Sequence, residues 1–195
     1  MTAWEMFSIS VFERLFLSDF KIFLIQKNKE LNLYPLIEKI TLLKGRVTVN
    51  RTNFAAKEMT PIHYQSDLQI KKNEYGIPEP VNGVEIEIND IDVVIVPMLG
   101  FNANGHRLGY GGGFYDRFLS QTKAACIKIG VCHTAEPITI QNIENTDISL
   151  DFLISPNGIR KFSNITWGKR CKNQSSKKPG PQLEPSGFYL HLEIS

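Results

Sequence analysis

Short apolar runs alternate along this chain with segments whose apolar residues recur at helical spacing. The clearest run, residues 91–99, is almost continuously apolar, which is typical of a strand buried on both faces of a sheet. Residues 34–43 and 113–121 repeat their apolar positions at helical spacing and predict helices. Shorter runs predict further strands at residues 21–25, 46–50, 59–64, 126–131 and 152–155.

This alternation predicts the fold class. Strands followed by helices favour an α/β domain with a mostly parallel sheet flanked by helices, in a three-layer, Rossmann-like arrangement. Residues 1–162 are expected to form this single domain. Residues 163–195 are polar and rich in helix breakers, so we expect a mobile basic tail. Ligands of such sheets gather at the carboxyl ends of the strands, which directs attention to the segment after residue 99.

That segment, residues 101–119, holds five of the chain's 14 glycines. Glycine has no Cβ and tolerates positive φ, so several N–H groups of such a loop can converge on one anion. The loop fits neither a Walker A motif nor the dinucleotide fingerprint, because Phe114 stands where the fingerprint needs glycine. A plain tight turn is the alternative. Arg107 and Asp116 favour a phosphate site, since they add a planar cation and a hard oxygen ligand.

Several motifs of the chain match those of one known family. Residues 107–116 read R-L-G-Y-G-G-G-F-Y-D, residues 76–80 read G-I-P-E-P, and residues 147–151 read D-I-S-L-D. In these motifs, and over about residues 12–159, the chain resembles the 5-formyltetrahydrofolate cyclo-ligases, also called methenyltetrahydrofolate synthetases. The resemblance implies an enzyme that converts 5-formyltetrahydrofolate to 5,10-methenyltetrahydrofolate, with ATP consumed and ADP and phosphate released.

The resemblance also implies roles for individual residues. Arg107 and Phe114 would be catalytic, and Asp116 and Asp147 would supply oxygen ligands to Mg²⁺. The ATP-binding residues would be Arg107, Leu108, Gly109, Tyr110, Gly111, Gly112, Gly113, Phe114 and Tyr115.

Four residues are expected on the folate side of the site. Glu30 would accept hydrogen bonds from the pterin, and Met59, Tyr75 and Tyr110 would line the pocket. Each has an ordinary alternative: Glu30 could be a solvated charge at a helix start, and Met59 and Tyr75 could belong to the core.

The chain also departs from the family pattern. Phe114 replaces a common tyrosine, and we expect the chain to begin after the family's N-terminal basic helix, which contributes two phosphate-binding cations. A non-catalytic or impaired folate- or nucleotide-binding relative is therefore the alternative to an active ligase.

Composition and charge narrow the function further. With 42% hydrophobic and 22% charged residues, the chain is typical of globular proteins. Residues 163–195 hold five of the 22 basic and two of the 20 acidic residues, so the rest of the chain is near neutral and nucleic acid is not an expected partner. Binding of nucleic acid through this tail is a third, less favoured hypothesis.

The sequence also leads to expectations about membrane segments, cellular compartment and oligomeric state. Charged residues interrupt the apolar residues 7–24, so no membrane segment is expected. The three cysteines, Cys126, Cys132 and Cys171, include no C-x-x-C pair and indicate reduced thiols, hence a cytoplasmic protein. We expect a monomer.

Overall fold

The computed structural model describes residues 21–24, 40 and 45–162. The predicted tail, residues 163–195, and most of the predicted helix at residues 34–43 lie outside this part of the chain; Ile40, which is described, is helical and buried. The strands are β1 Lys21–Leu24, β2 Arg46–Asn53, β3 Glu58–His63, β4 Ile70–Lys72, β5 Pro78–Pro80, β6 Val93–Pro97, β7 Gly100–Phe101, β8 Arg107–Leu108, β9 Ile127–Val131, β10 Phe152–Ser155 and β11 Gly158–Lys161. Helix α1 is Phe114–Ser120, and a short 3-10 helix is Ile88–Asp90.

Seven strands form one mixed sheet in the order β11-β10-β9-β6-β1-β2-β3. The five central strands pair in parallel, whereas β3 and β11 pair antiparallel at the two edges. The parallel strands follow the order of a doubly wound sheet: strands are added outward in opposite directions from β1 and β6, so the strand order reverses between these two. The predicted α/β fold with a mostly parallel sheet is confirmed. The flanking helices of a three-layer arrangement stay a prediction.

The core is built around β6. All five residues of β6 are buried, because β1 and β9 pair with it on either side and both of its faces are covered. In β9, Gly130 lies so close to its neighbours that an added Cβ would be 2.3 Å from the Met98 methyl. Cys126 and Cys132 are buried free thiols, as predicted. Burial raises the pKa of the Cys126 thiol to about 11, and it also raises the pKa of Cys132.

Most predicted elements within the described residues are found with boundaries shifted by a few residues. The predicted helix at residues 113–121 is α1, and the predicted strand at residues 152–155 is β10. The hairpins β4–β5 and β7–β8 were not predicted, because strands of two or three residues are too short to show a period. The edge strand β11 was not predicted because its residues are mostly exposed and form no apolar run.

The G-I-P-E-P segment, residues 76–80, is a turn followed by a strand. Gly76 has φ +72°, and Pro78–Pro80 then pairs with β4. A two-stranded sheet tolerates prolines because each strand has one free edge, where no N–H donor is needed. Within the described residues, no helix is long and apolar enough to cross a membrane.

Candidate active site

The glycine-rich segment lies at the carboxyl end of β6, next to the switch point between β1 and β6. After β6 the chain forms the β7–β8 hairpin, closed by a hydrogen bond of 2.9 Å from the Leu99 amide to the Leu108 carbonyl. Residues 109–113 then form an open loop, which we call the glycine loop, and α1 begins at Phe114. This is the position where doubly wound sheets bind their ligands.

The glycines of this loop are required for different reasons. Gly111 has φ +81° and Gly113 has φ +65°, a region that side chains with a Cβ rarely adopt. At Gly112 an added Cβ would be 2.6 Å from the Phe114 ring. Gly109 has neither a positive φ nor any described atom within 4 Å of an added Cβ. The described fold therefore does not explain Gly109, whereas the close approach of a ligand would.

Arg107 and Asp116 form a partly buried pair that binds both backbone polar groups of one residue. The Arg107 side chain is 7% exposed, and its Nη2 donates to Asp116 Oδ1 at 2.5 Å. Arg107 Nη1 donates to the Ile148 carbonyl at 2.6 Å, and the Ile148 amide donates to Asp116 Oδ1 at 3.0 Å. Both backbone polar groups of Ile148 are thus bound, and we call this arrangement the Ile148 clamp. It ties β8 and α1 to the segment that leads into β10.

The two carboxylates predicted to bind metal are engaged within the protein. Asp116 Oδ1 belongs to the clamp, and Asp147 Oδ2 accepts a hydrogen bond of 3.0 Å from the Glu144 amide. Within residues 45–162 no group of three or more His, Cys, Asp or Glu is arranged to hold a metal ion. These residues do not fit a Mg²⁺ site made by the protein alone, and the predicted metal role of Asp116 and Asp147 stays a prediction.

A second arginine, not singled out from the sequence, lies against the glycine loop. Arg117 is exposed, and its Nη1 donates to the Gly112 carbonyl at 3.1 Å. The same nitrogen is 2.9 Å from where a Cβ of Gly113 would be. The signal was present in the sequence, because Arg117 follows Gly113 by four residues and therefore lies one helical turn away.

Beside the loop lies a cleft of about 650 Å³ between the β2–β3 and β4–β5 hairpins. Its buried carboxylate, Glu79, is 8% exposed and accepts a hydrogen bond of 3.1 Å from the Thr52 amide through Oε1. Asn73 Oδ1 accepts from the Tyr75 and Ile77 amides, while Asn73 Nδ2 is buried without a hydrogen-bond partner among the described residues. The cleft is lined by Arg51, Thr52, Asn53, Phe54, Ala55, Thr60, Asn73, Glu74 and Glu79.

Phe54 joins this cleft to the glycine loop. Its ring centroid is 4.4 Å from that of Tyr75 and 5.6 Å from that of Phe114, the latter in an edge-on arrangement. Phe54 was missed because a single aromatic residue in a hairpin turn has no periodic or motif signal. The contact brings together Tyr75 and Phe114, which were predicted from distant parts of the sequence.

The other predicted site residues are distributed as follows. Tyr110 is 54% exposed and Leu108 is 43% exposed, so both border solvent at the loop. Tyr115 is half-buried and packs against the core, as does Phe114. Met59 is 7% exposed and belongs to that same core cluster, which agrees with the ordinary alternative considered for it. Glu30 lies outside the described residues.

Comparison with known proteins places this chain in a family context. A model of the 5-formyltetrahydrofolate cyclo-ligase family matches residues 15–156. The chain is 33% identical to a 5-formyltetrahydrofolate cyclo-ligase of Haemophilus influenzae over 97 residues, which are 48% of this chain and 52% of that protein. It is 30% identical to the Escherichia coli K12 5-formyltetrahydrofolate cyclo-ligase over 134 residues, 67% of this chain and 74% of that protein.

A solved structure has a similar fold. The NMR structure of Aquifex aeolicus 5,10-methenyltetrahydrofolate synthetase superposes with a TM-score of 0.66 and 22% identity, covering 89% of this chain and 85% of the other. The aligned region spans about half the length of the Haemophilus influenzae relative and about three quarters of the Escherichia coli one.

Proposed function

The chain belongs to the 5-formyltetrahydrofolate cyclo-ligase family, and we propose that it catalyses the ATP-dependent conversion of 5-formyltetrahydrofolate to 5,10-methenyltetrahydrofolate, releasing ADP and phosphate. One observation carries the proposal: the glycine loop at the switch point of the sheet is joined through Phe54 to a polar cleft of about 650 Å³. A phosphate-binding loop and an adjoining organic pocket are what transfer of a phosphoryl group to a bound folate requires.

The reaction proceeds in two steps. The γ-phosphoryl group of ATP passes to the formyl oxygen and ADP is released, because the oxygen of a formamide is a poor leaving group until it is phosphorylated. N10 of the folate then attacks the formyl carbon and loses its proton, and the C–O bond breaks as phosphate departs with the electron pair. The protein mainly supplies positioning and charge neutralisation for such transfers.

On the nucleotide side, we propose that the ATP phosphates lie along the glycine loop. The bare surface at Gly109 supports this, because phosphate oxygens can approach the backbone there. Magnesium is proposed to arrive bound to the nucleotide phosphates. The Asp116 carboxylate already serves the Ile148 clamp, so no step is assigned to a metal held by the protein.

On the folate side, we propose that the cleft receives the pterin. A fused, flat heterocycle with amino and ring N–H donors calls for aromatic walls and a carboxylate acceptor. Phe54 and Tyr75 supply rings, Glu79 supplies the buried carboxylate, and Asn73 Nδ2 supplies a donor with no described partner. The sequence-based role of Glu30 as a pterin contact remains a prediction beside it.

We further propose that the chain acts as a cytoplasmic monomer, with helices covering both faces of the sheet and no nucleic-acid partner. The near neutrality of residues 1–162 supports the last point.

The test is direct. The purified chain mixed with 5-formyltetrahydrofolate and magnesium ATP should produce the absorbance of 5,10-methenyltetrahydrofolate, and reactions lacking ATP or protein should not. Absence of product from folded protein would overturn the proposal. Binding of 5-formyltetrahydrofolate by calorimetry without turnover would then identify the non-catalytic relative considered from the sequence.

A further inference from the structure

Two arginines lie near the glycine loop, and their side chains are used differently. Arg107 is 7% exposed, and both of its terminal nitrogens donate to protein acceptors in the Ile148 clamp. Arg117 is exposed, and among the described residues its guanidinium makes one hydrogen bond, to the Gly112 carbonyl. A guanidinium has five N–H donors. Arg107 uses two of them in the clamp and burial of its side chain shields the others, whereas Arg117 uses one and is exposed, so most of its donors are available to a ligand.

We infer that Arg117 is the residue that contacts the phosphates of the bound nucleotide, and that Arg107 instead holds the loop in place through the Ile148 clamp. This inference rests on the proposed function, because it assigns a residue to the ATP side of that reaction. It reverses the sequence-based expectation, in which Arg107 was the phosphate-binding cation.

The geometry at Gly113 supports the inference. Arg117 Nη1, Cζ and Nη2 are 2.9, 3.7 and 3.8 Å from where a Cβ of Gly113 would be, so the guanidinium lies alongside the loop backbone. An arginine held in this way presents a planar set of donors, which suits the oxygens of a phosphate. Gly109 and Gly111 leave the neighbouring stretch of the loop open, with no described atom within 4 Å of an added Cβ.

The charges around the loop support the same assignment. The Asp116 carboxylate would repel phosphate if it were unpaired, but the Arg107 guanidinium neutralises it at 2.5 Å. Arg117 has no carboxylate within salt-bridge distance among residues 45–162, so its charge is not neutralised by the described protein. The net effect is a positive charge at the solvent side of the loop and a neutral pair beneath it.

The experiment compares Arg117→Ala and Arg117→Lys with Arg46→Ala. Arg46 is an exposed arginine at the first residue of β2. It therefore lies at the amino ends of the parallel strands, whereas the glycine loop lies at their carboxyl ends, and its replacement removes the same charge far from the loop. We expect Arg117→Ala to raise the KM for magnesium ATP about tenfold, with the KM for 5-formyltetrahydrofolate and the Tm nearly unchanged. Arg117→Lys should raise the KM for magnesium ATP by less, and Arg46→Ala should have the same KM as the parent.

Calorimetric titration of the same proteins with magnesium ADP separates this inference from the proposed function. An unchanged KM and Kd in Arg117→Ala would overturn the inference while parent turnover leaves the proposed function standing. A parent that binds magnesium ADP without turnover, and loses affinity in Arg117→Ala, would overturn the proposed function alone. A parent that binds no nucleotide would overturn both.

Discussion

The glycine loop and the cleft beside it meet at Phe54, and they differ in how the polar side chains Arg107, Asp116 and Asn73 are hydrogen-bonded. Beneath the loop, the two charged residues Arg107 and Asp116 bond to each other and to the backbone N–H and C=O of Ile148. In the cleft, Asn73 Nδ2 is buried without a described partner. A buried polar atom without a partner costs free energy that a ligand or a water molecule can recover, and this supports the proposal that the cleft binds folate; His106 Nδ1, next to Arg107, is a second such atom. The Arg107–Asp116 pair of the loop motif therefore supports the fold, and the cleft is the region that we propose binds folate.

Among tests of this contrast, replacing Arg107 should have the largest effect. Arg107→Ala removes the donors that bind the Ile148 carbonyl and the Asp116 carboxylate. A hydrogen bond to a charged group contributes about 1.5–3 kcal/mol, and Asp116 is partly exposed and keeps the Ile148 amide as a donor, so we expect a loss of about 2–3 kcal/mol. Unfolding by urea should show this loss, while Arg46→Ala should change the free energy of unfolding by less than about 0.5 kcal/mol. If Arg107→Ala is instead as stable as the parent and has a greatly raised KM for magnesium ATP, the sequence-based role of Arg107 is right and the clamp interpretation is wrong.

The next test addresses the contact between the two regions. Phe54→Ala removes the ring that contacts both Tyr75 and Phe114, and an aromatic pair contributes about 0.5–1.5 kcal/mol beyond its buried area. We expect the KM for 5-formyltetrahydrofolate to rise about tenfold, with a smaller change in the KM for magnesium ATP. Phe54→Leu should have a KM for 5-formyltetrahydrofolate between those of the parent and Phe54→Ala. Equal increases in both constants would show that Phe54 supports the fold of the loop rather than the cleft.

A narrower test concerns the charge in the cleft. Glu79→Gln keeps an oxygen that can accept from the Thr52 amide, but it removes the negative charge and replaces the second oxygen by an NH2 group. A charged acceptor is stronger than a neutral one by about 1 kcal/mol, so the Kd for 5-formyltetrahydrofolate should rise about fivefold while the Tm changes little. An unchanged Kd, measured by calorimetry, would remove Glu79 from the folate side of the site.

The smallest expected effect separates two glycines of the loop. Gly111→Ala forces a Cβ into φ +81° and should lower the free energy of unfolding by about 1 kcal/mol. Gly109→Ala meets no described atom and should leave stability unchanged, but it should raise the KM for magnesium ATP if phosphate approaches the backbone there. A Gly109→Ala protein with the parent KM would show that this part of the loop does not contact the nucleotide.

Much of the fold could be predicted from the sequence because its cause is local. The continuous apolar run at residues 91–99 predicts a strand covered on both faces, and β6 is that strand. The periodic segment at residues 113–121 predicts a helix because its apolar residues recur at one-turn spacing, and α1 buries Phe118 and Leu119 accordingly. The short hairpins escaped prediction because the β7–β8 pairing depends on contacts across the loop rather than on any repeating pattern.

The same distinction between local and long-range causes applies to the candidate site. By itself, the sequence determined the family, the glycine loop and its position after a buried strand, since these follow from residue types at fixed spacings. The tertiary structure alone decided which side chains are free to bind a ligand. Arg107 finds its acceptor at Ile148, 41 residues away, and Thr52 finds Glu79 at a separation of 27. Whether a hydrogen-bond donor is used within the protein depends on which distant segments the packed sheet brings within about 3 Å of it. No local sequence pattern encodes which segments those are.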